Sequence, residues 1–494
     1  MAEKKHLKIA HIIAEIAPFS KIGGLGDVGR DLPKALLRLD QEIIVISPYY
    51  SLVRKQELQK EKIEGPSPIE IDGIDYPVSF RKHSTAYGLT VYFIVNEELF
   101  GSHQNVYDQG DDDALRWIFF SKASLELLKH INFQADIIHA HDWTAGLVPN
   151  YVNSLYRDDL FFKKSALVFT IHNLNHQGTL TMRRARPHKA DKGTGSPPEQ
   201  RSFRNYINFM KRGIVNAQVI NTVSERYAKE ILTPQFGAGL DPYLRRRREH
   251  VFGIINGIDY EVVNPAFDGD VYVKYDFNSL EKKGKNKAAL QKEVGLTVKQ
   301  TTPLIGLVNR LSQQKGFALI MEAMPVLLKM DLQMVVVGSG NKDYLKFFRE
   351  IARKHRSKIG VYSPFTQVMA SRVYAGSDLY LMPSRYEPCG ISQLISLRYG
   401  SIPIVHSVGG LHDTITDYDP IADSGNGFKF DAYATPELLV AIARACESYK
   451  YPSQWSKLVH RAMKQTFSWE LPAKKYLDLY RVALRVNARG HNGH

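Results

Sequence analysis

Along the chain, short runs of apolar and β-branched residues alternate with longer stretches in which apolar positions return every three or four residues. Runs that are apolar throughout suit strands of a parallel sheet buried on both faces, and the stretches between them suit the connecting helices. The pattern predicts strands at 7–13, 43–47, 89–95, 137–140, 166–170 and 218–222. It then starts again, with strands at 304–308, 333–337, 358–362, 379–382 and 402–406. Two such series predict an α/β protein of two doubly wound, Rossmann-like domains. The crossing between them is expected at 256–265, where a turn-rich Asn-Gly-Ile-Asp and Pro265 close the first series. Domains at 1–258 and 259–470 follow, and a helix at 472–486, within a last segment 471–494, is expected to pack back on the first domain. The basic, proline-containing stretch 183–204 has no apolar period and reads as a surface loop.

Composition narrows the class. A chain of 494 residues exceeds one ordinary core and suits two domains. At 44% hydrophobic and 23% charged residues it reads as globular rather than disordered. No apolar run nears the roughly 18 residues of a membrane-spanning helix. The apolar start carries Glu15 and runs into a glycine motif, so it reads as a first strand rather than a leader. Cys389 and Cys446, the only cysteines, are too few for a disulfide framework or a cysteine metal site, and a reducing cytoplasm fits them. The net charge of +14 favours anionic partners. Its cations lie in scattered runs such as 245–248, without a nucleic-acid-binding signature, so a solvated face explains them. Neither a nucleic acid nor a membrane is expected as partner.

Doubly wound sheets bind ligands beyond the carboxyl ends of their strands, and the unusual residues fall in those loops. After the first strand comes Lys21-Ile22-Gly23-Gly24-Leu25-Gly26-Asp27-Val28, a glycine turn opening a helix, where backbone amides and a cation suit a diphosphate; tight packing is the plainer alternative. Asn309-Arg310-Leu311 and Lys315-Gly316 follow the first strand of the second series, giving a forked cation and a point charge on one loop, or two surface ion-pair residues. His139-Ala140-His141-Asp142-Trp143 and Thr170-Ile171-His172-Asn173 end two strands with groups that bind hydroxyls, and Trp143 has a face for a sugar ring. A metal is not expected there, because the spacing supplies no third ligand, and His139 on the strand reads as a satisfied buried histidine. In Pro383-Ser384-Arg385-Tyr386-Glu387-Pro388-Cys389-Gly390, Glu387 sits just before a helix and is the best candidate acid; complementing the helix dipole is its structural alternative. Gly409-Gly410-Leu411-His412-Asp413 repeats the backbone-approach logic after the next strand.

Taken in order and spacing, KIGGLGDV, HAHDW, TIHN with HQG, NRL with QQKG, PSRYEPCG and VGGLHDT resemble the bacterial glycogen synthase and plant starch synthase family. The likeness spans about residues 7–485 and includes NGIDYEVVNPA and FSWELPAKKYLDLY. It implies the GT-B fold, two Rossmann-like doubly wound domains facing across a deep cleft. It also implies retaining transfer of glucose from ADP-glucose to the non-reducing end of an α-1,4-glucan such as glycogen, with no cofactor or metal. Lys21, Gly23, Gly24, Arg310 and Lys315 then hold the diphosphate, and Glu387, Asp142 and His172 surround the glucose. Tyr107 lines the cleft, Asn256 belongs to the hinge motif, and Asn173, Cys389, Gly390, Gly409 and Gly410 complete the substrate contacts. Two positions depart from the family pattern: Phe365 stands where a tyrosine commonly meets the nucleotide base, and Val263 replaces a hinge tryptophan. A related enzyme using UDP-glucose or another acceptor, and a silent glucan-binding protein, are the alternatives.

Overall fold

The structure, a computed structural model, describes residues 6–56, 60–103, 105–107, 113–181 and 206–491. The predicted loop at 183–204 lies outside the described residues. The chain forms two compact units. One comprises the residues up to Val223, Ala228–Asn256 and everything from Trp469 onward; the other comprises Ser224–Tyr227 and Gly257–Ser468.

The main sheet of the first unit is built from β1 (Lys8–Ile12), β2 (Glu42–Pro48), β3 (Glu61–Glu64), β4 (Ser79–Ser84), β5 (Thr90–Val95), β6 (Ile137–His141), β7 (Ala166–Ile171), β8 (Val219–Thr222) and β9 (Val251–Gly253). They form one sheet in the order β9-β8-β7-β6-β1-β2-β5-β4-β3. From β9 to β5 every neighbour is parallel, and β4 and β3 add an antiparallel edge. Runs such as Ile43-Ile44-Val45-Ile46 are buried along their whole length, as strands covered on both faces must be. The last helix, Glu470–His491, packs in this unit. Tyr476 accepts a hydrogen bond from Asn221 Nδ2 at 2.9 Å, and Tyr480 Oη meets His139 Nδ1 at 3.0 Å.

The second unit holds β10 (Leu304–Val308), β11 (Gln333–Val337), β12 (Ile359–Tyr362), β13 (Leu379–Met382), β14 (Ile402–His406) and β15 (Phe428–Phe430). All are parallel, in the order β12-β11-β10-β13-β14-β15. This is the Rossmann order, which reverses between β10 and β13, so the loops leaving those two strands open a crevice at their carboxyl ends. In the first sheet the reversal falls between β1 and β6 in the same way. Val263, at the departure from the hinge motif, packs partly buried against the second unit's core.

Each strand foreseen by apolar patterning forms within two residues of its expected place. The strands β3, β4, β9 and β15 at the sheet edges escaped, because EKIE and SFRKHS carry charges rather than apolar runs and VFG and FKF are too short to show one. Edges tolerate such residues and are protected by them from pairing with other chains. Among the described residues no helix is long and apolar enough to cross a membrane.

At the amino ends of β10 and β13 a buried ion pair ties the sheet to the helix Glu281–Glu293. Lys287 Nζ lies 2.6 Å from Asp378 Oδ2 and donates to the carbonyls of Gln300 and Thr302 at 2.9 and 2.7 Å. Asp378 also accepts from the Leu304 amide at 2.8 Å. Lys287→Met leaves the Asp378 carboxylate buried without its cation. Chemical denaturation should show a loss of about 3–5 kcal/mol, the usual result of breaking such a pair.

Candidate functional site

In the first unit the loop after β1 is organised by Glu15, which is 3% exposed. Its Oε2 accepts from the amides of Ile22 and Gly23 at 2.7 and 2.9 Å, and its Oε1 accepts from Tyr107 Oη at 2.6 Å. The expectation that this glycine turn offers its amides to a ligand is therefore corrected in part, since those two are already used within the protein. What remains is the N-terminus of the helix Gly24–Leu37, whose first amides have no helical acceptor. At Gly23 a side chain would meet nothing within 4 Å, so the loop is open there. Lys21 stands beside it, half exposed, with Nζ 2.8 Å from Asp27 Oδ1. Burial and the Glu15 carboxylate hold the Tyr107 hydroxyl well above its ordinary pKa, so it stays a neutral donor.

Asp142, directly after β6, has φ 58° and ψ −179°, a conformation that side chains other than glycine rarely take. Its Oδ1 accepts from the amides of His172 and Asn173 at 3.0 and 3.4 Å, which binds the ends of β6 and β7 together. Burial raises its pKa to about 7, against the two amide hydrogen bonds that lower it. Asn173 in turn accepts from the Asn175 amide at 3.1 Å. Asn256 is buried, and its Oδ1 has no hydrogen-bond partner among the described residues.

His139 is satisfied as expected, by Tyr480 Oη at 3.0 Å and Thr170 Oγ1 at 2.7 Å. The expectation that no third ligand stands beside His139 and His141 needs correction. β1 pairs with β6 so that His11 stands opposite His139, and His11, His139 and His141 bring ring nitrogens within 4.8 Å of one another. His139 and His141 use both nitrogens in hydrogen bonds, however, and within this trio His11 Nε2 alone has no partner. Trp143 is placed differently from the expectation. It packs edge-on against Trp117, and Gly178 lies so close that a Cβ there would come within 2.2 Å of the indole ring. The indole is a wall of the fold more than an open platform.

In the second unit the loops after β10 and β13 meet. Lys315 Nζ lies 2.6 Å from Glu387 Oε2, and Ser384 Oγ donates to the same oxygen at 3.0 Å. Both partners of the ion pair are largely buried. Their meeting depends on Gly316, which has φ 77° and comes so close that a Cβ would stand 1.9 Å from the Pro383 carbonyl oxygen. Gly409, at φ 45°, and Gly410 do the same against the backbone oxygens of Glu387 and Cys389. The Gly410 amide donates to the Glu387 carbonyl at 3.1 Å. These two glycines thus approach protein backbone, and they hold the Glu387-Pro388-Cys389-Gly390 turn in place. Cys389 is buried, and Gly390 takes φ 70°. Arg310 is exposed and has no ion-pair partner among the described residues. The Phe365 ring is also exposed, at 47%.

Sequence reading missed Glu15, His11 and Ser384 as parts of these clusters. Glu15 and His11 carried a signal, a polar residue within an apolar run. Ser384 carried none beyond its motif.

Comparison with known proteins gives these clusters a family. Residues 8–246 match the starch synthase catalytic domain, and residues 291–460 match the glycosyl transferases group 1. The glycogen synthase of Pseudothermotoga lettingae is 43% identical over 97% of this chain and 99% of its own. That of Moorella thermoacetica is 42% identical over 97% of each. The catalytic domain of starch synthase IV from Arabidopsis thaliana, bound to ADP and acarbose, superposes with a TM-score of 0.90 at 32% identity, over 97% of this chain and all of that one. A sucrose-phosphate synthase from Thermosynechococcus elongatus shares the fold, with a TM-score of 0.58 at 16% identity over 97% of this chain and 98% of its own. The chain is a GT-B glycosyltransferase and belongs to the glycogen synthase and starch synthase family.

Proposed function

We propose that the protein lengthens an α-1,4-glucan such as glycogen by retaining transfer of glucose from ADP-glucose, releasing ADP. The observation that carries this reading is the Lys315–Glu387–Ser384 cluster at the switch point of the second sheet, with an exposed Arg310, without an ion-pair partner among the described residues, on the same loop. The ADP and acarbose bound by the Arabidopsis relative support the donor and the glucan. Arg310 forks onto phosphate oxygens, and Lys315 has three donors, enough to keep Glu387 and still reach a phosphate. Lys21 and the helix beginning at Gly24 add positive charge for the diphosphate. Phe365 offers its exposed ring to the base. Asp142, His172, Asn173, Asn256 and Tyr107 contact the sugars, and the turn Glu387 to Gly390 with Gly409 and Gly410 shapes the donor side.

In the reaction the bond between the glucose anomeric carbon and the diphosphate oxygen breaks as the acceptor 4-hydroxyl attacks from the same face. The departing phosphate oxygen takes the hydroxyl proton, which accounts for retention without a carboxylate nucleophile. Negative charge grows on the diphosphate, where Arg310 and Lys315 stabilise it, so no metal is needed for that task. Glu387 orients Lys315 and supports the positive charge on the sugar. The two cysteines are free and buried, which suits a reducing cytoplasm.

Purified protein with a glycogen primer should incorporate label from ADP-glucose in a chelator-containing buffer. Preference for UDP-glucose would reassign the donor, and incorporation from neither would overturn the enzyme reading. Lys315→Ala and Glu387→Ala should each lower kcat by about 10²–10³ while the melting curve persists, as loss of a charge-stabilising group does. In Gly316→Ala the new methyl displaces Lys315 from Glu387, and kcat/KM should fall by roughly a hundredfold.

Asp142 has a stability signature. Its folded pKa, about 7, lies above the ordinary 3.8. The protonated form is therefore the one that folding favours. Its contribution is whole below the unfolded value and is lost as pH rises through about 7. Asn is neutral throughout and also tolerates positive φ. Asp142→Asn should thus abolish transfer and yet stabilise the fold at pH 8 by on the order of a few kcal/mol, with little gain near pH 4, as read by denaturation at the two pH values.

A further inference from the structure

Three imidazoles of the first unit are joined end to end. His11 Nδ1 lies 3.0 Å from His141 Nε2, and His141 Nδ1 lies 3.0 Å from His172 Nε2. His11 and His141 are buried on strands β1 and β6, and His172 follows β7 and is part-exposed. Burial depresses the pKa of His11 and of His172 to about 3. Burial, followed by the neighbouring imidazoles, also depresses that of His141 well below its ordinary value. All three rings are neutral at pH 7.

A neutral imidazole has one N–H and one lone pair. Each N···N contact needs one proton between its nitrogens, so the direction of one contact sets the direction of the next. Two arrangements satisfy both contacts. If every ring is protonated on Nε2, His11 carries an Nε2–H. If every ring is protonated on Nδ1, His11 Nε2 is a bare lone pair, and the row ends in a His172 Nδ1–H that is free to bind something else. His11 Nε2 is buried and has no hydrogen-bond partner among the described residues. An orphaned buried N–H is the rarer fault, an unused acceptor the more tolerated one. The orphan nitrogen at one end of the row therefore selects the second arrangement for the whole of it.

We infer that His11 and His141 are positioning residues which hold His172 in its Nδ1–H form, so that it meets the transferred sugar as a hydrogen-bond donor to a hydroxyl oxygen and cannot accept from one. The sugar contact rests on the proposed function; the tautomer does not. The row explains why the polar rings of His11 and His141 stand in an apolar strand pair. Specificity follows from the same constraint, because a group able only to donate, such as an ammonium, is refused at that hydroxyl position.

The full chain labelled with 15N-histidine tests this directly, since two-bond proton–nitrogen correlation spectra separate Nδ1–H from Nε2–H rings. His172→Asn, His141→Gln and His11→Asn assign the three resonances. Nδ1–H at all three positions at pH 7 is the expected result, and Nε2–H at His172 overturns the inference. His11→Phe removes the donor to His141. The His172 resonance should then shift toward the other tautomer, and kcat/KM for ADP-glucose should fall roughly tenfold, the worth of one hydrogen bond. His11→Asn, whose amide donates to His141, should restore both. An unchanged tautomer and rate in His11→Phe would also overturn the inference. Should the tautomer be as expected while no donor sugar is transferred, the row stands and the proposed function falls.

Discussion

The second unit's site depends on three loops lying closer together than side chains permit. The loop after β10 touches the turn after β13 at Gly316, and the turn after β14 touches it from the other side at Gly409 and Gly410. Each contact leaves less than 2 Å between the site of a missing Cβ and a backbone oxygen, so no rotamer adjustment could replace glycine there. This compression delivers the Lys315 ammonium to the Glu387 carboxylate and leaves Arg310 outside the pair. Because the Rossmann order reverses between β10 and β13, the two loops diverge to opposite faces of the sheet and leave the crevice between their first residues. Topology chooses the place, and the glycines set the distance.

The first unit solves the same geometric problem with a carboxylate. Glu15 leaves the end of β1 buried and engages two amides of the glycine turn, while Tyr107 donates to its other oxygen. A buried carboxylate is tolerable only when it accepts hydrogen bonds, and here three donors reach it. The result is a rigid turn whose remaining amides belong to the helix end. Lys21 pairs with Asp27 on that helix, which sets the cation beside the helix start.

The sheets were largely legible because burial on both faces forces continuous apolar runs, and those runs survive in any single sequence. Leu304–Val308 and Leu379–Met382 were located to the residue. β3 and β4 were not, since an exposed edge places no such demand on EKIE or SFRKHS. At the site, residues on strand ends stood out by their contrast with apolar neighbours. What did not show was partnership across the chain. His11 and His141 are 130 residues apart, Glu15 and Tyr107 are 92 apart, and Lys315 and Glu387 are 72 apart. Sequence order does not encode these meetings; the parallel register does. The glycine motifs are ambiguous for a related reason, because close backbone approach reads the same whether the neighbour is a phosphate or a peptide carbonyl. At Gly409 and Gly410, as at Gly178 beside Trp143, the close neighbour belongs to the protein.

A dry floor beneath the first unit's site accounts for the charge states above it. Burial lowers the imidazoles of His11 and His172, and burial first, then the Glu15 charge, raises the carboxyl of Asp142. No single ion pair is the leading cause in any of these, so the effect belongs to the packing as a whole, and the histidine row cannot act as a store of protons near neutral pH. It can only carry hydrogen-bond direction. Asp142, held at φ 58° by two amides, concentrates both backbone strain and the cost of ionisation in one residue. A fold optimised for stability alone would relieve either burden with a glycine or an asparagine, so an acid at this position carries two costs that packing does not repay.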